Sequence, residues 1–349
     1  MPQKTQNIKN YIVFDLEWNQ CAEGKTGEIP GLPFEVIEIG AVKLNEDFEV
    51  ISEFSRFVRP KVYQRLHFKV LEILDIGMEE LTRRGEPFDQ VIRAFFSWCR
   101  EADGETIFCT WGNMDLTELQ RNMAYYGVEN PFPNPLFYYD VQKLYSRLYR
   151  DNGKDKPTLE HAVQEQSLEV QRPFHRAIED AKYTGAVLRQ MDFPSVAPYL
   201  SLDYYRIPDC KEHEISLTFP DYSKYVSRGF ASREELIRDK EVNDLCCFSC
   251  RRMLRKKIGW FTGNQRNYLA LGICPEHGLM RGKLRVRKSE EGRYYCVKTV
   301  RMTDEAGAEE LIRQKEAYAG KQREKLCLKR RREKLRRPGG AIFSKEAPS

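Results

Sequence analysis

The 349-residue sequence predicts an α/β domain followed by a small β-rich module and a basic helical tail. Three observations carry that expectation. A run of β-formers at Tyr11–Gln20 opens a set of three strands, the apolar spacing turns helical from Pro87, and past residue 243 cysteine pairs alternate with β-rich segments.

The chain is long enough for one large or two medium domains. Hydrophobic residues at 41% and charged residues at 31% describe a soluble protein, and no apolar stretch approaches the roughly 18 residues of a membrane span. The start, MPQKTQNIKN, lacks the apolar core of a secretory signal. Ten cysteines in such a chain fit thiols or metal ligands better than a disulfide framework. A cytoplasmic protein with no membrane partner is therefore expected. The net charge of +5 is unevenly spread: residues 1–200 carry 23 Lys and Arg against 31 Asp and Glu, leaving 34 against 21 for residues 201–349. An acidic half beside a basic half suits an enzyme of nucleic acids, and equally a protein with a solvated basic tail.

In YIVFDLEWNQ the alternation puts Asp15 and Glu17 on one face of a strand. Taken alone the pair reads as strand-end charges facing water; held on a rigid strand, it is also a ledge for an oxygen-ligand cation. Residues 21–33, rich in Gly, Glu and Pro, form a loop. FEVIEIGAVKL at Phe34–Leu44 alternates as a strand, and Asp47–Pro60 returns as its hairpin partner. Phe88, Val91, Ile92, Phe95 and Cys99 then fall at helical spacing behind Pro87, a residue suited to a first turn. Trp98 on this helix belongs to the core. TIFCTW at Thr106–Trp111 is a short strand that runs into GNMDLTELQRNMAYYG, where Leu116, Leu119 and Met123 make an apolar stripe. Asp115 at that junction fits an acid facing the helix dipole. Leu136–Arg150 supplies another strand and helix, with Asp140 as a cap. Pro157–Leu168 adds a helix whose His161 has no acid or cysteine at ligand spacing and is structural. In RPFHRAIEDAKYTGAVLRQM, at Arg172–Met191, His175 stands in a loop and Asp180 follows on a helix with Ile178, Ala181 and Val187. A histidine with a pKa of about 6.5 can take a proton at neutral pH, and a carboxylate beside it can bind metal.

FDLEWN, WGNMDLTEL and HRAIEDA, in that order, resemble the three motifs of the DEDDh family of 3′-to-5′ exonucleases. That family includes RNase T, polymerase proofreading subunits and the Eri-type RNA exonucleases. The resemblance covers about residues 8–192, and EVIEIGAVKL and RPFHRAIEDAKYTGAV are most similar to the Eri-type branch. It implies a ribonuclease-H-like fold: a mixed five-stranded sheet flanked by helices, with the site at one sheet edge. It also implies Asp15, Glu17, Asp115, His175 and Asp180 as catalytic residues. Asp15, Glu17, Asp115 and Asp180 would hold two Mg²⁺ or Mn²⁺ ions, Asp15 bridging them, Glu17 and Asp180 on the nucleophile side, and Asp115 acting through water. His175 would deprotonate the attacking water, releasing nucleoside 5′-monophosphates. Four carboxylates around one site repel each other unless divalent cations neutralise them, which by itself points to metal. Leu16 and Trp18 flank the acids and are candidates for holding the terminal nucleotide, with plain packing as the other reading.

Met191–Asp209, with three prolines, marks the exit from this domain. Beyond it, Cys247-Phe-Ser-Cys250 and Cys274-Pro-Glu-His277 have the layout of one structural tetrahedral zinc site. Cys246, Cys296 and the pair Cys210 and His213 leave the ligand choice open. RRMLRKK at Arg251–Lys257 and RGKLRVRK at Arg281–Lys288 interleave with Trp260, Phe261 and Tyr268. That mixture fits single-strand binding through phosphate neutralisation and stacking, and also a solvated surface over core aromatics. Asp304–Arg337 is expected as a long exposed basic helix ending in LKRRREKLRR, contacting nucleic acid or an acidic partner, or serving as a solubilising tail. The expected organisation is an exonuclease domain at 1–195, a linker at 196–243, a zinc-ribbon-like module at 244–302 and the basic tail at 303–349. The expected function is a metal-dependent exonuclease acting on the 3′ ends of single-stranded RNA or DNA, RNA first. A proofreading or repair deoxyribonuclease and a non-catalytic binding protein of the same fold are the alternatives.

Overall fold

The structure is a computed structural model that describes residues 9–335 apart from 75, 102, 151–154 and 265–266. It comprises two compact units, Met1–Arg206 and Ile207–Ser349.

The first unit is built on a mixed sheet. β1 (Lys9–Gln20) pairs antiparallel with β2 (Phe34–Leu44), and β2 with β3 (Val50–Phe57). The β2–β3 turn is fastened by Asn45, whose Oδ1 accepts from the backbone N–H groups of Asp47 and Glu49. Three helices follow, α1 (Phe68–Ile73), α2 (Met78–Arg84) and α3 (Phe88–Cys99). β4 (Glu105–Thr110) then enters parallel to β1, and α4 (Met114–Tyr125) leads to β5 (Phe137–Asp140), parallel to β4. The unit closes with α5 (Val141–Tyr149), α6 (Leu159–Glu165), α7 (Ala177–Gln190), α8 (Phe193–Val196) and β6 (Ser201–Leu202). The order is β3-β2-β1-β4-β5-β6, so a two-residue antiparallel strand extends the five expected.

The two faces of β1 do different work. Ile12, Phe14 and Leu16 pack with Val91, Ile92 and Phe95 of α3 and Leu116, Leu119 and Met123 of α4 in one core. Trp98 belongs to that core, its indole N–H donating to Ser52 Oγ at 2.8 Å. The alternate residues Asp15 and Glu17 are left for the other side, where α7 packs on β1 and β2. Asp140 caps α5 by accepting from Lys143 N at 2.9 Å. His161 is corrected on two points: it is exposed rather than structural, and an acid does stand beside it, Glu165 one helical turn on at 3.4 Å.

The second unit is an antiparallel sheet of order β7-β8-β12-β11-β10-β9. Its first strands, β7 (Ile215–Thr218) and β8 (Tyr222–Val226), and the helices α9 (Arg233–Arg238) and α10 (Lys240–Asn243) lie within the stretch expected as a linker. That expectation is corrected on this point: strands of four and five residues carry too little alternation to stand out in a sequence. β9 (Arg255–Asn264), β10 (Asn267–Cys274), β11 (Gly278–Lys288) and β12 (Tyr294–Met302) form the expected β module, widened by β7 and β8. The tail forms α11 (Glu305–Leu335), whose Ala308 and Leu311 are buried against Ile258, Phe261 and Leu271, so its first turns are part of the fold. The tail after residue 335 lies outside the described residues.

Of the aromatics among the basic runs, Phe261 is a core residue, and Trp260 and Tyr268 are half-buried against a neighbouring cluster. Phe261 is buried under α11, Trp260 donates its indole N–H to Asn243 O at 2.8 Å, and Tyr268 accepts from Arg233 at 2.7 Å. They are therefore not open stacking platforms: alternation sends Trp260 and Phe261 to opposite faces of the sheet, each of them covered.

Candidate active site and cysteine cluster

The site forms where three separate stretches meet. β1 presents Asp15 and Glu17, α4 presents Asp115 in its first turn, and the loop before α7 presents His175, with Asp180 on the helix. Asp115 Oδ1 accepts from Leu16 N at 3.3 Å, which ties α4 to the strand between its two acids. Glu17, His175 and Asp180 have ligand atoms within 4.8 Å of one another. His175 adopts φ +67°, a left-handed conformation uncommon for a side chain of its size. That conformation sends its N–H to Asp180 Oδ2 at 3.1 Å.

Helix α7 reaches the sheet because of Gly40. This residue lies opposite Asp15 on β2, and a Cβ there would sit 2.0 Å from Ile178 N and 2.1 Å from Ala177 C. The first turn of α7 therefore rests directly on the strand, and Asp180 follows within that turn.

Burial and mutual repulsion raise the proton affinity of all four carboxylates. Asp15 is driven well above the ordinary range by burial and by Asp115, Glu17, Asp180 and Glu38. Glu17 is pushed up to about 8 by burial, then by Asp180, Glu38 and Asp115, with Arg176 opposing. Asp115 and Asp180 each rise to about 7, again through burial first. Asp180 Oδ1 is buried and has no hydrogen-bond partner. A buried carboxylate oxygen without a donor, among three other acids, fits a divalent cation.

Three further residues escaped the sequence reading. Glu38 of β2 lies directly opposite Glu17, and its carboxylate takes a two-pronged ion pair from Arg176 at 3.1 and 3.0 Å. Glu160 of α6 places Oε1 3.5 Å from His175 Nε2. The pattern IEIG beside HRA held the first two, but strand register decides that they meet, and register is set by pairing partners far away in sequence. Of the two substrate candidates, Leu16 is only 3% exposed within the core, which assigns its side chain to packing. Trp18 is half-buried, with its ring 5.6 Å from that of Phe34.

In the second unit Cys247, Cys250, Cys274 and His277 form a separate cluster. The Cys250–Cys274 sulfurs are 3.7 Å apart, and His277 Nδ1 is 3.6 Å from the sulfurs of both Cys247 and Cys274. A tetrahedron with bonds of about 2.3 Å to sulfur and 2.0–2.1 Å to nitrogen has edges of about 3.8 and 3.6 Å. Burial raises the Cys274 thiol, but His277 and nearby backbone N–H groups outweigh it and bring it down to about 6. Cys246 contacts Met253 and Cys296 is buried beside Ser227, both apart from this cluster. Cys210 and His213 join Asp209 in an exposed group of their own.

Among the described residues no helix is long and apolar enough to cross a membrane. A profile of the exonuclease family of the RNase T type matches residues 12–188, just over half of the chain. The probable 3′-5′ exonuclease KapD of Bacillus subtilis (strain 168) is 29% identical over 170 residues, spanning 49% of this chain and 78% of that protein. A full-length 3′-exonuclease crystal structure is similar at 18% identity with a TM-score of 0.48, covering 56% of this chain and 86% of that one. The nuclease domain of 3′hExo, a DEDDh family member bound to rAMP, is similar at 18% identity and a TM-score of 0.45, covering 58% and 99%. Divalent metal use is a property of DEDDh exonucleases. The chain belongs to the exonuclease family of the RNase T type and is a 3′-to-5′ exonuclease of the DEDDh class.

Proposed function

We propose that this exonuclease removes nucleotides from the 3′ end of single-stranded RNA and releases nucleoside 5′-monophosphates. The observation that carries the reading is the buried carboxylate cluster, with Asp180 Oδ1 left without a donor. Asp15, Glu17, Asp115 and Asp180 are the residues that would hold two Mg²⁺ or Mn²⁺ ions. Bound there, the cations would neutralise the acids and stabilise charge building on the phosphoryl oxygens.

The chain's own groups have distinct tasks. The His175 imidazole takes the proton of the attacking water, and Glu160 at 3.5 Å stabilises the ring once charged. His175 is about half exposed, so water reaches it and the proton can leave again. Arg176 neutralises Glu38, which stops a fifth acid from competing with Glu17 opposite it. Trp18 at the end of the ledge offers an apolar edge to the terminal nucleotide.

RNA is favoured by the likeness of EVIEIGAVKL and RPFHRAIEDAKYTGAV to the Eri-type branch. We assign the four-residue cluster to one structural Zn²⁺, supported by edge lengths that match a tetrahedral set. The cysteines outside this cluster, none of them in a disulfide, support a reducing, cytoplasmic setting.

End-labelled single-stranded RNA and DNA, incubated with Mg²⁺ and the protein or its Asp15→Asn variant, test the reading. Stepwise shortening of RNA from the 3′ end by the parent alone is expected. No shortening of either strand, or equal activity in the variant, overturns it, and faster loss of DNA transfers the assignment to a deoxyribonuclease. An unchanged KM in Trp18→Ala removes Trp18 from the site. Metal analysis should give about one zinc per chain, lost in Cys250→Ser.

A further inference from the structure

β11 carries Arg281, Lys283, Arg285 and Arg287 at alternate positions, while Met280, Gly282, Leu284 and Val286 between them are buried. The four cations therefore share one face of the second sheet. The register adds to them. Arg301 of β12 lies directly opposite Arg281, and the row through Lys283 continues across Thr299 to Lys224 of β8.

Directly opposed like charges weaken a sheet, so this arrangement works against folding. Burial, then Arg285, Arg281 and Arg301, hold Lys283 below its ordinary proton affinity; burial and Arg301 do the same to Arg281. Glu310 of α11 supplies a partial counter-charge to Arg281, but its carboxylate is already engaged by Arg313 at 2.9 and 3.1 Å. Helix α11 covers the β9 and β10 side of this face through Ala308, Leu311 and Tyr318, reaching β11 at Leu279. Beyond the partly buried Arg281, Lys283 and Arg285 are exposed.

We propose that the exposed cations of β11, with Arg301 of β12 beside them, form a second nucleic-acid site, which binds the phosphodiester backbone of a single strand. Alternate residues of an antiparallel strand stand about 6.8 Å apart, so an extended polyanion can set successive phosphates against successive cations. Tyr222 and Tyr295, which share the face, are buried and offer no open ring. The site therefore grips backbone without reading base, and it holds any sequence the active site is to shorten. This inference rests on the exonuclease reading for its purpose, and its test is separable from it because binding is measured without cleavage.

The probe is a fluorescent oligo(U) several times longer than the roughly 4–16 nucleotides one β domain occupies, titrated by anisotropy in Mg²⁺. The protein is the full chain carrying Asp15→Asn, with and without Lys283→Glu and Arg285→Glu. Binding at least tenfold weaker is expected, and a slope of log K against log salt shallower by about 1.4 for two lost phosphate contacts. Lys69→Glu with Arg93→Glu, exposed positions of the first unit, makes the same change in net charge and should leave binding near the parent value. Lys283→Gln with Arg285→Gln gives a milder version, and zinc content and melting temperature report that the fold is intact. Equal affinity and equal slope in parent and reversed variants overturn the site. Equal affinity for a duplex of the same length overturns the single-strand assignment. In the cleavage-competent chain, the reversal should raise KM for the long strand severalfold and leave dinucleotide hydrolysis unchanged. A parent chain that binds oligo(U) through this face but shortens nothing refutes the exonuclease reading and leaves the site standing.

Discussion

Gly40→Ala isolates the contact on which the active site depends. The added Cβ would lie 2.0 Å from Ile178 N, 2.1 Å from Ala177 C and 2.5 Å from Ala177 O, where ordinary contact begins at 3.4 Å. These are backbone atoms of the first turn of α7, so no side-chain rotation relieves the clash. The helix must retreat by the difference, about 1.4 Å, and Asp180 retreats with it. Catalytic groups tolerate roughly 0.5 Å of misplacement, and about 1 Å costs on the order of 100-fold in rate. Overpacking of this kind costs about 1–3 kcal/mol, or roughly 3–10 °C in melting temperature for a domain of this size. The expected outcome is a kcat/KM on labelled RNA lower by about 100-fold, with a folded but less stable protein. Gly185, also on α7, is the control: its nearest neighbour to a new Cβ is Leu44 Cδ1 at 3.4 Å. Gly185→Ala should therefore be neutral, or stabilising by up to about 1 kcal/mol through better helix propensity. Activity of Gly40→Ala within threefold of the parent at an unchanged melting temperature would refute the reasoning, as would equal losses in both variants.

Arg176→Ala leaves the Glu38 carboxylate, only 2% exposed, without its counter-charge opposite Glu17. A loss of about 2–4 kcal/mol in urea unfolding is expected, below the full value for a buried pair because Arg176 is itself a third exposed. A stability change under 0.5 kcal/mol would count against this role. The raised carboxylates also set a pH dependence. Folded values of about 7 for Asp115 and Asp180 and about 8 for Glu17 exceed the ordinary ones, so the folded protein without Mg²⁺ binds more protons than the unfolded one. Its stability is greatest near pH 4–5 and declines as pH rises through 7 to 8; calorimetry should show melting falling over that window and Mg²⁺ restoring it at pH 8. A flat profile, or an equal Mg²⁺ effect at pH 5 and pH 8, would contradict the cluster's electrostatics. Glu160→Gln should lower kcat severalfold, since the carboxylate 3.5 Å from His175 Nε2 helps hold the ring that takes the water's proton. An unchanged kcat would remove Glu160 from the mechanism.

The motifs were legible because each sits on an element with a strong local signature. The apolar alternation of β1 orients Asp15 and Glu17, and the stripe of α4 orients Asp115. What stayed hidden depends on contacts between distant stretches. The meeting of Glu38 with Glu17, and of Arg176 with Glu38, follows from a register and a helix docking that no local pattern encodes. The close approach permitted by Gly40 was invisible for the same reason. In the second unit the error ran the other way: Trp260, Phe261 and Tyr268 stand beside cations in sequence, yet Phe261 is buried under α11 and the other two are half-buried against a second cluster. The short strands β7 and β8 left almost no periodic trace and were absorbed into a linker.

The order of the motifs along the chain has a consequence for synthesis. Asp15 and Glu17 are made first, whereas His175, Arg176 and Asp180 arrive together on the last of the three stretches. At roughly 5–20 residues per second, about ten to thirty seconds separate them. Until α7 has left the ribosome and settled on Gly40, the nascent chain has neither the base nor the fourth carboxylate. A nuclease built in this order stays inert through the synthesis of its first unit, and its site is complete only once α7 docks, while the second unit is still being made.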